Sequence, residues 1–262
     1  MIGIVGNGFV GNAVYQNLRD KVQCKVFDVD KNRSLNTLGE VVNQEFIFVC
    51  LPTPMKKSGE CDLSIMDDFF EELPDFIEGT FVIKSTVPIG TTKKYSERHN
   101  VIHNPEFLTA RNAVADFVNS ERNIIGGDME LAVDFARFYE QCFPNIPSIL
   151  VTSDESEAIK YFSNTFLAYK VAYFNKMYDM CKAIGLDYES VREGVTADSR
   201  IGQSHTVVPG IDNDRGFGGT CFPKDLNSLI VQMESNGVNP EILRKVWEYN
   251  QEIRSVVDWI VT

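Results

Sequence analysis

The stretch MIGIVGNGFVGNAVYQNL, residues 1–18, decides the fold class of this chain. The alternating apolar residues at its start predict a short strand, and the residues up to Leu18 predict a helix. Between the two lies GNGFVG, residues 6–11, which has the spacing GxGxxG. That spacing means little in isolation, but here it follows a predicted strand and opens a predicted helix, as a dinucleotide-binding turn requires.

Each glycine of this turn has its own physical reason. Gly6 permits the tight turn, Gly8 lets a pyrophosphate approach the backbone, and Gly11 lets the helix and the strand pack closely. Phe9 and Val10 form the first turn of the helix, where unpaired N–H groups attract a pyrophosphate. The motif therefore predicts a dinucleotide site that includes all five residues.

The second predicted strand, residues 24–28, ends on Asp28. This carboxylate comes 17 residues after Gly11, where it can accept hydrogen bonds from the adenosine ribose of a dinucleotide. A carboxylate would repel the 2′-phosphate of NADP, so Asp28 favours NAD. Arg33, a nearby cation, is a further candidate for contact with the cofactor.

Strand-like runs alternate with helix-like runs through the first half of the chain. This alternation predicts an α/β fold with a doubly wound, mostly parallel Rossmann-type sheet over residues 1–152. The predicted strands after the second are Phe46–Leu51, Phe81–Ser85, Val101–His103, Asn123–Ile125 and Ile149–Thr152, and the predicted helices include Leu63–Leu73 and Leu131–Gln141.

The loops that follow three of these strands are polar and contain proline. They read LPTP (residues 51–54), STVP (85–88) and NPEF (104–107). Loops at the carboxyl ends of parallel strands line the ligand site of such sheets, so Pro52, Thr53, Ser85 and Thr86 are predicted to contact the cofactor. For any single loop, the better interpretation is that proline and threonine merely end a strand.

Residues 153–184 contain no proline and no glycine, and apolar residues recur there at steps of three and four from Ile159 to Met180. This pattern predicts one long amphipathic helix, followed by a smaller, mainly helical domain over residues 153–262. The length of the helix favours a homodimer in which the stripe from Phe162 to Met180 is partly buried between subunits. Lys160 and Asn164, one turn apart on another face, form either a polar notch or a solvated edge.

GFGGTCFPKD, residues 216–225, places glycines before Cys221 and a cation, Lys224, after it. Positive charge and backbone N–H groups favour the thiolate form of a cysteine. Cys221 is therefore a candidate nucleophile, although a structural loop with an incidental cysteine stays open. Cys24, Cys50 and Cys181 lie in apolar patterns and are expected to be buried and unreactive.

The composition excludes several classes of function. The formal net charge of −12 repels nucleic acid, and no apolar run approaches the length that spans a membrane. The cysteines form no CxxC pair and there are three histidines, so no metal site is expected. Residue 1 directly begins a predicted strand, so no signal peptide is expected and the predicted location is cytoplasmic.

Together these motifs resemble those of the nucleotide-sugar dehydrogenases, above all the UDP-glucose 6-dehydrogenases. The resemblance rests on GNGFVG, LPTP with the following DLS, KSTVPIGTT, NPEFL, EAIKYFSNTFLAYKVAYFN, DSRIG and GFGGTCFPKD, which occur in the family's order through nearly the whole chain. It implies oxidation of the C6 alcohol of a UDP-sugar to a carboxylate, with two NAD and no metal. Two departures are the TARN segment after NPEFL, at residues 109–112, and a chain that stops where family members continue into a further nucleotide-sugar-binding domain.

The resemblance also implies roles for individual residues. Cys221 would be the nucleophile; Lys160 and Asn164 would stabilise oxyanions at C6; Asp225 would position a water or Lys160. Glu106 would act as general acid and base, and Thr86 would hold a water or contact the nicotinamide. Substrate contacts would come from Phe107, Leu108, Lys160, Asn164, Arg200 and Gly218.

Two other functions remain open at the level of sequence. One is a non-catalytic NAD-binding remnant or partner-dependent subunit. The other is a two-electron dehydrogenase of a smaller hydroxyl substrate, in which Cys221 is idle.

Overall fold

The computed structural model describes residues 1–109 and 111–259. The chain forms two compact units, of which the first contains Met1–Thr53 and Leu63–Lys160. The second contains Pro54–Asp62 and the chain from Tyr161 onward. The boundary between the units falls inside the long helix predicted over residues 153–184. The predicted domain division after residue 152 stays a prediction.

In the described residues, the first unit is built on one seven-stranded sheet. The strands are β1 Ile2–Val5, β2 Cys24–Phe27, β3 Phe46–Val49, β4 Thr80–Ile83, β5 Val101–His103, β6 Asn123–Gly127 and β7 Ser148–Val151. Their spatial order is β2-β1-β3-β4-β5-β6-β7, and every neighbouring pair is parallel except β5 with β6. The predicted mostly parallel, doubly wound sheet is therefore confirmed.

Helices connect the strands and continue the chain beyond the sheet. Within the described ranges they are α1 Phe9–Leu18, α2 Leu38–Val42, α3 Ser64–Glu72, α4 Thr91–Ser96, α5 Ala113–Val118, α6 Met129–Cys142, α7 Ser153–Ile184, α8 Tyr188–Thr196, α9 Phe222–Ser235 and α10 Glu241–Ile253.

Alternation along the central strands sends side chains to two separate cores. In β3, Phe46 and Phe48 pack into one core with α1, α5 and α6, whereas Ile47 and Val49 pack into the other with α2, α3 and α4. Both faces of the sheet are thus covered by helices, which explains why its strands read as continuous apolar runs rather than alternating ones.

The chain order reverses between β1 and β3. One crossover from β1 leads to β2 on one side, and the strands from β3 onward lie on the other side. The carboxyl ends of β1 and β3 therefore form a topological switch point, where sheets of this type bind their ligands. The glycine turn follows β1, and the LPTP loop follows β3.

The second unit is helical and has its own small core. Buried residues from the middle of α7, the cysteine loop, α9 and α10 pack together there, namely Ala168, Ala172, Phe217, Leu226, Ile230 and Val246. Helix α7 has 32 residues, so it is about 48 Å long. Its observed bounds are those predicted from the sequence, and the predicted mainly helical second part is confirmed.

Candidate active site

The turn after β1 has the geometry that a bound pyrophosphate needs. Gly6 has a φ of +86°, which favours glycine. A Cβ on Gly11 would lie 1.9 Å from the Gly6 carbonyl oxygen, so Gly11 allows the close contact of α1 with the turn. A Cβ on Gly8 would meet nothing within 4 Å, so the backbone at the start of α1 is open to a ligand. Phe9, which is exposed, and Val10 form the first turn of α1.

The Asp28 carboxylate lies against this turn. Its Oδ2 accepts a 2.6 Å hydrogen bond from the Asn7 backbone N–H, and its Oδ1 accepts one of 2.8 Å from Asp30 N–H. Asn7 Nδ2 in turn donates to the Arg33 carbonyl oxygen over 2.8 Å. The Arg33 side chain is exposed and lies 3.5 Å from Asp30. Asn7 was not among the predicted residues, although it occupies the variable position between the two first glycines.

The loops after β3 and β4 are tied to each other by hydrogen bonds. Ser85 Oγ donates to the Leu51 carbonyl oxygen over 2.5 Å, and Thr53 Oγ1 donates to the Thr86 carbonyl oxygen over 2.9 Å. Thr53 and Thr86 are buried, whereas Pro52 is exposed. The structure therefore brings four of the predicted cofactor-binding residues together at the carboxyl ends of adjacent strands.

Glu106 and Lys160 form a buried pair in the first unit. Their exposed fractions are 8% and 3%. Lys160 Nζ donates to the Glu106 backbone carbonyl oxygen and lies 3.5 Å from its carboxylate Oε1. The other carboxylate oxygen accepts a 2.6 Å hydrogen bond from Leu108 N–H. The loop after β5, which contains Glu106, therefore fixes the position of the Lys160 ammonium group.

Phe107, between Glu106 and Leu108, presents its ring to two cations. Lys160 Nζ lies 5.0 Å from the ring centroid, and the Arg122 guanidinium carbon lies 4.7 Å from it. Both distances are within the range of cation–π attraction. The segment from Glu106 to Leu108 thus surrounds Lys160 with a carboxylate, a carbonyl oxygen and an aromatic face.

Cys221 begins a helix in the second unit. It is the N-cap residue of α9, and its side chain is partly buried. Cys221 therefore lies at the positive end of the helix, where a thiolate is favoured. Lys224 lies in the first turn. Burial works to lower the pKa of Lys224, but the charge and hydrogen bond of Asp225, together with the smaller effects of Cys61 and Cys221, outweigh burial, and the pKa is raised, so Lys224 is charged.

Asp225, which is fully buried, connects two of the predicted residues of this unit. Asn164 Nδ2 donates to its Oδ2 over 2.6 Å, and Lys224 Nζ donates to its Oδ1 over 2.6 Å. Tyr161, on the neighbouring turn of α7, shares a buried 2.9 Å hydrogen bond between hydroxyl groups with Ser228 of α9. The Asn164 amide is therefore held by a carboxylate and is no solvated edge.

The glycine loop before Cys221 is held by side chains that come later in the chain. Asn250 is fully buried, and its amide pairs with both the N–H and the carbonyl oxygen of Phe217, over 2.7 and 2.9 Å. Asp258 accepts a 3.0 Å hydrogen bond from Gly219 N–H. A Cβ on Gly218 would lie 2.2 Å from Asp258 Oδ1 and from Arg254 Nη2. Sequence reasoning missed Asn250 and Arg254, and no local pattern marks either.

Arg200, the remaining predicted substrate residue, is exposed. Its guanidinium pairs with Asp198, with Nη2 at 2.6 Å from Oδ2. The loop that carries it is fixed further along, because Lys170 Nζ donates to the carbonyl oxygens of Ile201 and Gly202 over 2.7 and 3.1 Å. Arg200 is therefore an exposed cation on a loop that Lys170 fixes.

The other cysteines correct one expectation. Cys181 is buried as predicted, but Cys24 and Cys50 are only partly buried. Cys24 lies in a strand at the edge of the sheet, and Cys50 follows the last residue of β3. Burial nevertheless raises the pKa of Cys24 to about 11 and that of Cys50 to about 12, so both are thiols at neutral pH. All six cysteines lie in described residues and none is in a disulfide.

Over residues 1–109 and 111–259, no cluster of three histidine, cysteine, aspartate or glutamate residues has a geometry that could hold a metal ion. Within the same ranges, no helix combines the length and the apolar character needed to cross a bilayer.

Two family models match the chain, and both describe parts of one family. Residues 33–142 match the NAD binding domain of the UDP-glucose/GDP-mannose dehydrogenase family, and residues 154–252 match its central domain. Together the two matches cover most of the chain and contain Glu106, Lys160, Asn164 and Cys221.

Individual proteins that are similar to this chain are named as UDP-glucose dehydrogenases. The UDP-glucose 6-dehydrogenase TuaD of Bacillus subtilis is 32% identical over all of this chain and 65% of its own length. The UDP-glucose 6-dehydrogenase of Rickettsia felis is 35% identical over 95% of this chain and 57% of its own. The chain thus spans less than two thirds of these curated relatives. The structure of a UDP-glucose dehydrogenase from the archaeon Pyrobaculum islandicum superposes with a TM-score of 0.82 at 27% identity, covering 96% of this chain and 68% of that one.

Proposed function

We propose that this chain, which belongs to the UDP-glucose/GDP-mannose dehydrogenase family and contains its NAD binding and central domains, oxidises the C6 primary alcohol of a UDP-sugar to the carboxylate. UDP-glucose is the substrate we favour and UDP-glucuronate the product. One observation carries the proposal: the hydrogen bond from Asn164 to Asp225 gathers residues of two distant motifs in the unit that contains Cys221.

NAD fits the residues that the first unit presents. The open backbone at Gly8 and the start of α1 suit a pyrophosphate, and the Asp28 carboxylate beside the turn suits a ribose. Arg33, Pro52, Thr53, Ser85 and Thr86 complete the cofactor contacts that we propose. When it is bound, NAD supplies the hydride acceptor for each of two oxidations at C6.

Cys221 is the nucleophile in this proposal. After the first oxidation its thiolate adds to the C6 aldehyde, which forms a carbon–sulfur bond and places negative charge on the C6 oxygen. The second hydride loss converts this adduct to a thioester. Water then attacks the thioester carbonyl, and the carboxylate leaves as the thiolate is released. The start of α9 and Lys224 favour the charged sulfur at both stages.

Lys160 and Asn164 would stabilise the oxyanions at C6. Both are buried, and both are oriented before substrate arrives, Lys160 by Glu106 and Asn164 by Asp225. Preoriented donors in a site that excludes water stabilise developing charge more strongly than solvent does. Glu106 is the general acid and base for thioester hydrolysis. Thr86 would hold the water, and Asp225 positions Asn164.

Substrate contacts follow from the same segments. Phe107 and Leu108 lie beside Lys160, Gly218 belongs to the loop before Cys221, and Arg200 offers an exposed cation for an anionic diphosphate. These assignments are proposals, as is the UDP-sugar itself.

The same chain could form a homodimer through α7. Phe162 and Phe166 are 58% and 64% exposed, and Tyr169, Tyr173 and Met180 are exposed on the same helix. So many large apolar side chains along one helix are typical of a protein interface. We therefore propose that a second copy covers this stripe. The predicted cytoplasmic location remains a prediction.

The decisive experiment counts NADH per UDP-glucose consumed by the purified chain and by Cys221→Ser. The proposal predicts two NADH per sugar, with loss of acid formation in the variant. One NADH per substrate and full activity in Cys221→Ser would instead favour the two-electron dehydrogenase. Bound NAD without turnover on any nucleotide sugar would favour the non-catalytic or partner-dependent protein.

A further inference from the structure

Lys84 is a buried cation for which the proposed function has no role. It directly follows β4 and precedes Ser85 and Thr86, and its exposed fraction is 3%. Its Nζ donates a 2.7 Å hydrogen bond to Asn104 Oδ1. The acceptor is a neutral amide oxygen, so this contact offsets little of the cost of burying an ammonium group. A buried charge retained at such a cost suggests that the charge itself is used.

Asn104 is the residue that Lys84 holds, and it is fully buried. Its Nδ2 donates to Asn123 Oδ1 over 2.7 Å and to the Ile124 carbonyl oxygen over 2.6 Å. Its backbone N–H donates to the Ile83 carbonyl oxygen over 2.8 Å. These bonds connect the carboxyl end of β5 with β4 and β6. The Lys84 ammonium supplies the donor for the oxygen of this amide.

The position of Asn104 fixes the position of the Glu106 backbone. A single residue, Pro105, separates them, and its ring restricts the backbone. Glu106 then places its carboxylate toward Leu108 N–H and Lys160 Nζ. Lys84 is therefore connected to the Glu106–Lys160 pair by a short and rigid segment.

Burial leaves Lys84 able to lose its proton at mildly alkaline pH. Burial lowers the pKa of Lys84 to about 8; the Glu106 carboxylate opposes this shift and the Lys160 ammonium adds to it. Burial also lowers the pKa of His103, to about 3, so His103 is neutral, and Cys50 is a neutral thiol. From α5, Phe117 presents its ring 5.9 Å from the ammonium. Near pH 8, then, Lys84 changes charge while Cys50 and His103 do not.

We propose that protonated Lys84 is a positioning residue for Glu106: its ammonium holds Asn104, and its charge acts on the Glu106 carboxylate, so that turnover falls as Lys84 loses its proton. This inference rests on the proposed role of Glu106 as general acid and base. A neutral amine is a weaker donor to Asn104, and it removes positive charge from beside the carboxylate.

The first test is the dependence of kcat on pH for the wild-type chain and Lys84→Arg, with Lys94→Met as a control at an exposed lysine that pairs with Asp67. We expect wild type and control to lose activity with a midpoint near pH 8. Arginine keeps its charge, so Lys84→Arg should keep its activity to at least one pH unit higher. The same midpoint in Lys84→Arg would overturn the proposal.

The second test needs no turnover and so separates this inference from the proposed function. The chain is labelled with 13C at the glutamate carboxyl carbons, and Glu106→Gln identifies the Glu106 signal. As Lys84 loses its proton, we expect the chemical shift of this signal to change with a midpoint near pH 8 in wild type, and to stay constant in Lys84→Met over the same range. A signal that is flat in wild type, or that titrates equally in Lys84→Met, would overturn the proposal even if the chain proves inactive.

Discussion

Asn164 and Asp225 are joined by a 2.6 Å hydrogen bond, although 61 residues separate them in the sequence. The bond joins α7 to the first turn of α9 and leaves the carboxylate fully buried between an amide and Lys224. A buried carboxylate is stable only while such donors satisfy it. The relationship therefore predicts consequences for both stability and activity.

Asn164→Ala should destabilise the chain by about 2 kcal/mol, because it removes a donor to a buried charge. The measurement is the free energy of unfolding in urea. Asn236→Ala is the matched control, since Asn236 ends α9 with an exposed side chain bonded to its own helix. Equal effects of the two substitutions would contradict the importance of the buried bond.

Gly8 and Gly11 should respond differently to alanine. Gly8→Ala adds a methyl group in open space, so stability should stay within about 1 kcal/mol while NAD affinity falls at least about tenfold. Gly11→Ala forces a Cβ against the Gly6 carbonyl oxygen, and it should cost about 1–3 kcal/mol of stability as well. Calorimetric NAD titration and thermal unfolding of both variants check this. Unchanged NAD affinity in Gly8→Ala would refute the proposed pyrophosphate site.

Glu157 should make stability depend on pH. Its buried carboxylate accepts hydrogen bonds from Gly90 N–H, Thr92 N–H and the Thr92 hydroxyl, yet burial raises its pKa to about 7. Between the unfolded value of 4.5 and this folded value, the folded state binds more protons than the unfolded state. Stability attributable to Glu157 should therefore fall as pH rises from 4.5 to 7, by about 3 kcal/mol at most.

Unfolding of wild type and Glu157→Gln at a series of pH values measures this effect. The advantage of wild type over the variant should shrink as pH rises. Glu155→Gln is the control with the opposite sign: hydrogen bonds from Thr152 lower the pKa of Glu155, so its contribution is lost as pH falls. A constant difference between wild type and Glu157→Gln would show that Glu157 does not titrate in this range.

Cys221 should be the first thiol alkylated by iodoacetamide at pH 7. It lies partly exposed at the start of α9 beside a charged lysine, whereas burial raises the pKa of Cys24, Cys50 and Cys142. Peptide mass spectrometry over time identifies the order of labelling. Lys224→Met should slow labelling at Cys221 several-fold without changing the others. Earlier labelling at another cysteine would count against Cys221 as the nucleophile.

The exposed stripe on α7 should determine the size of the particle in solution. Light scattering should give the mass of two chains for wild type and of one chain for Phe166→Glu, because a buried charge opposes association. Phe76→Glu is the control, since Phe76 is also highly exposed but lies before β4 in the other unit. A monomeric wild type would contradict the proposed dimer.

Much of the fold was predictable because its signals are local. The absence of proline and glycine, together with apolar residues at helical spacing, predicted α7 at its observed bounds. The glycine spacing after β1 predicted the turn because the reasons for these glycines, a tight turn and close backbone contacts, involve only residues nearby in the sequence. The antiparallel direction of β6 relative to β5 was not predictable, because a short apolar run has the same residue pattern whether the strand runs parallel or antiparallel to its neighbour.

Local patterns of residues were enough to predict the α/β class, the dinucleotide turn, the long helix and the motifs from which candidate residues could be named. Tertiary structure decided which of those side chains are held and by what. Lys160 is buried beside the Glu106 carboxylate, and Asp225 accepts a hydrogen bond from Asn164. The glycine loop is held by a hydrogen bond to Asn250, and Lys84 donates a hydrogen bond to Asn104. These contacts join residues more than 15 positions apart. Their existence depends on how strands and helices pack, which no local pattern of residues records.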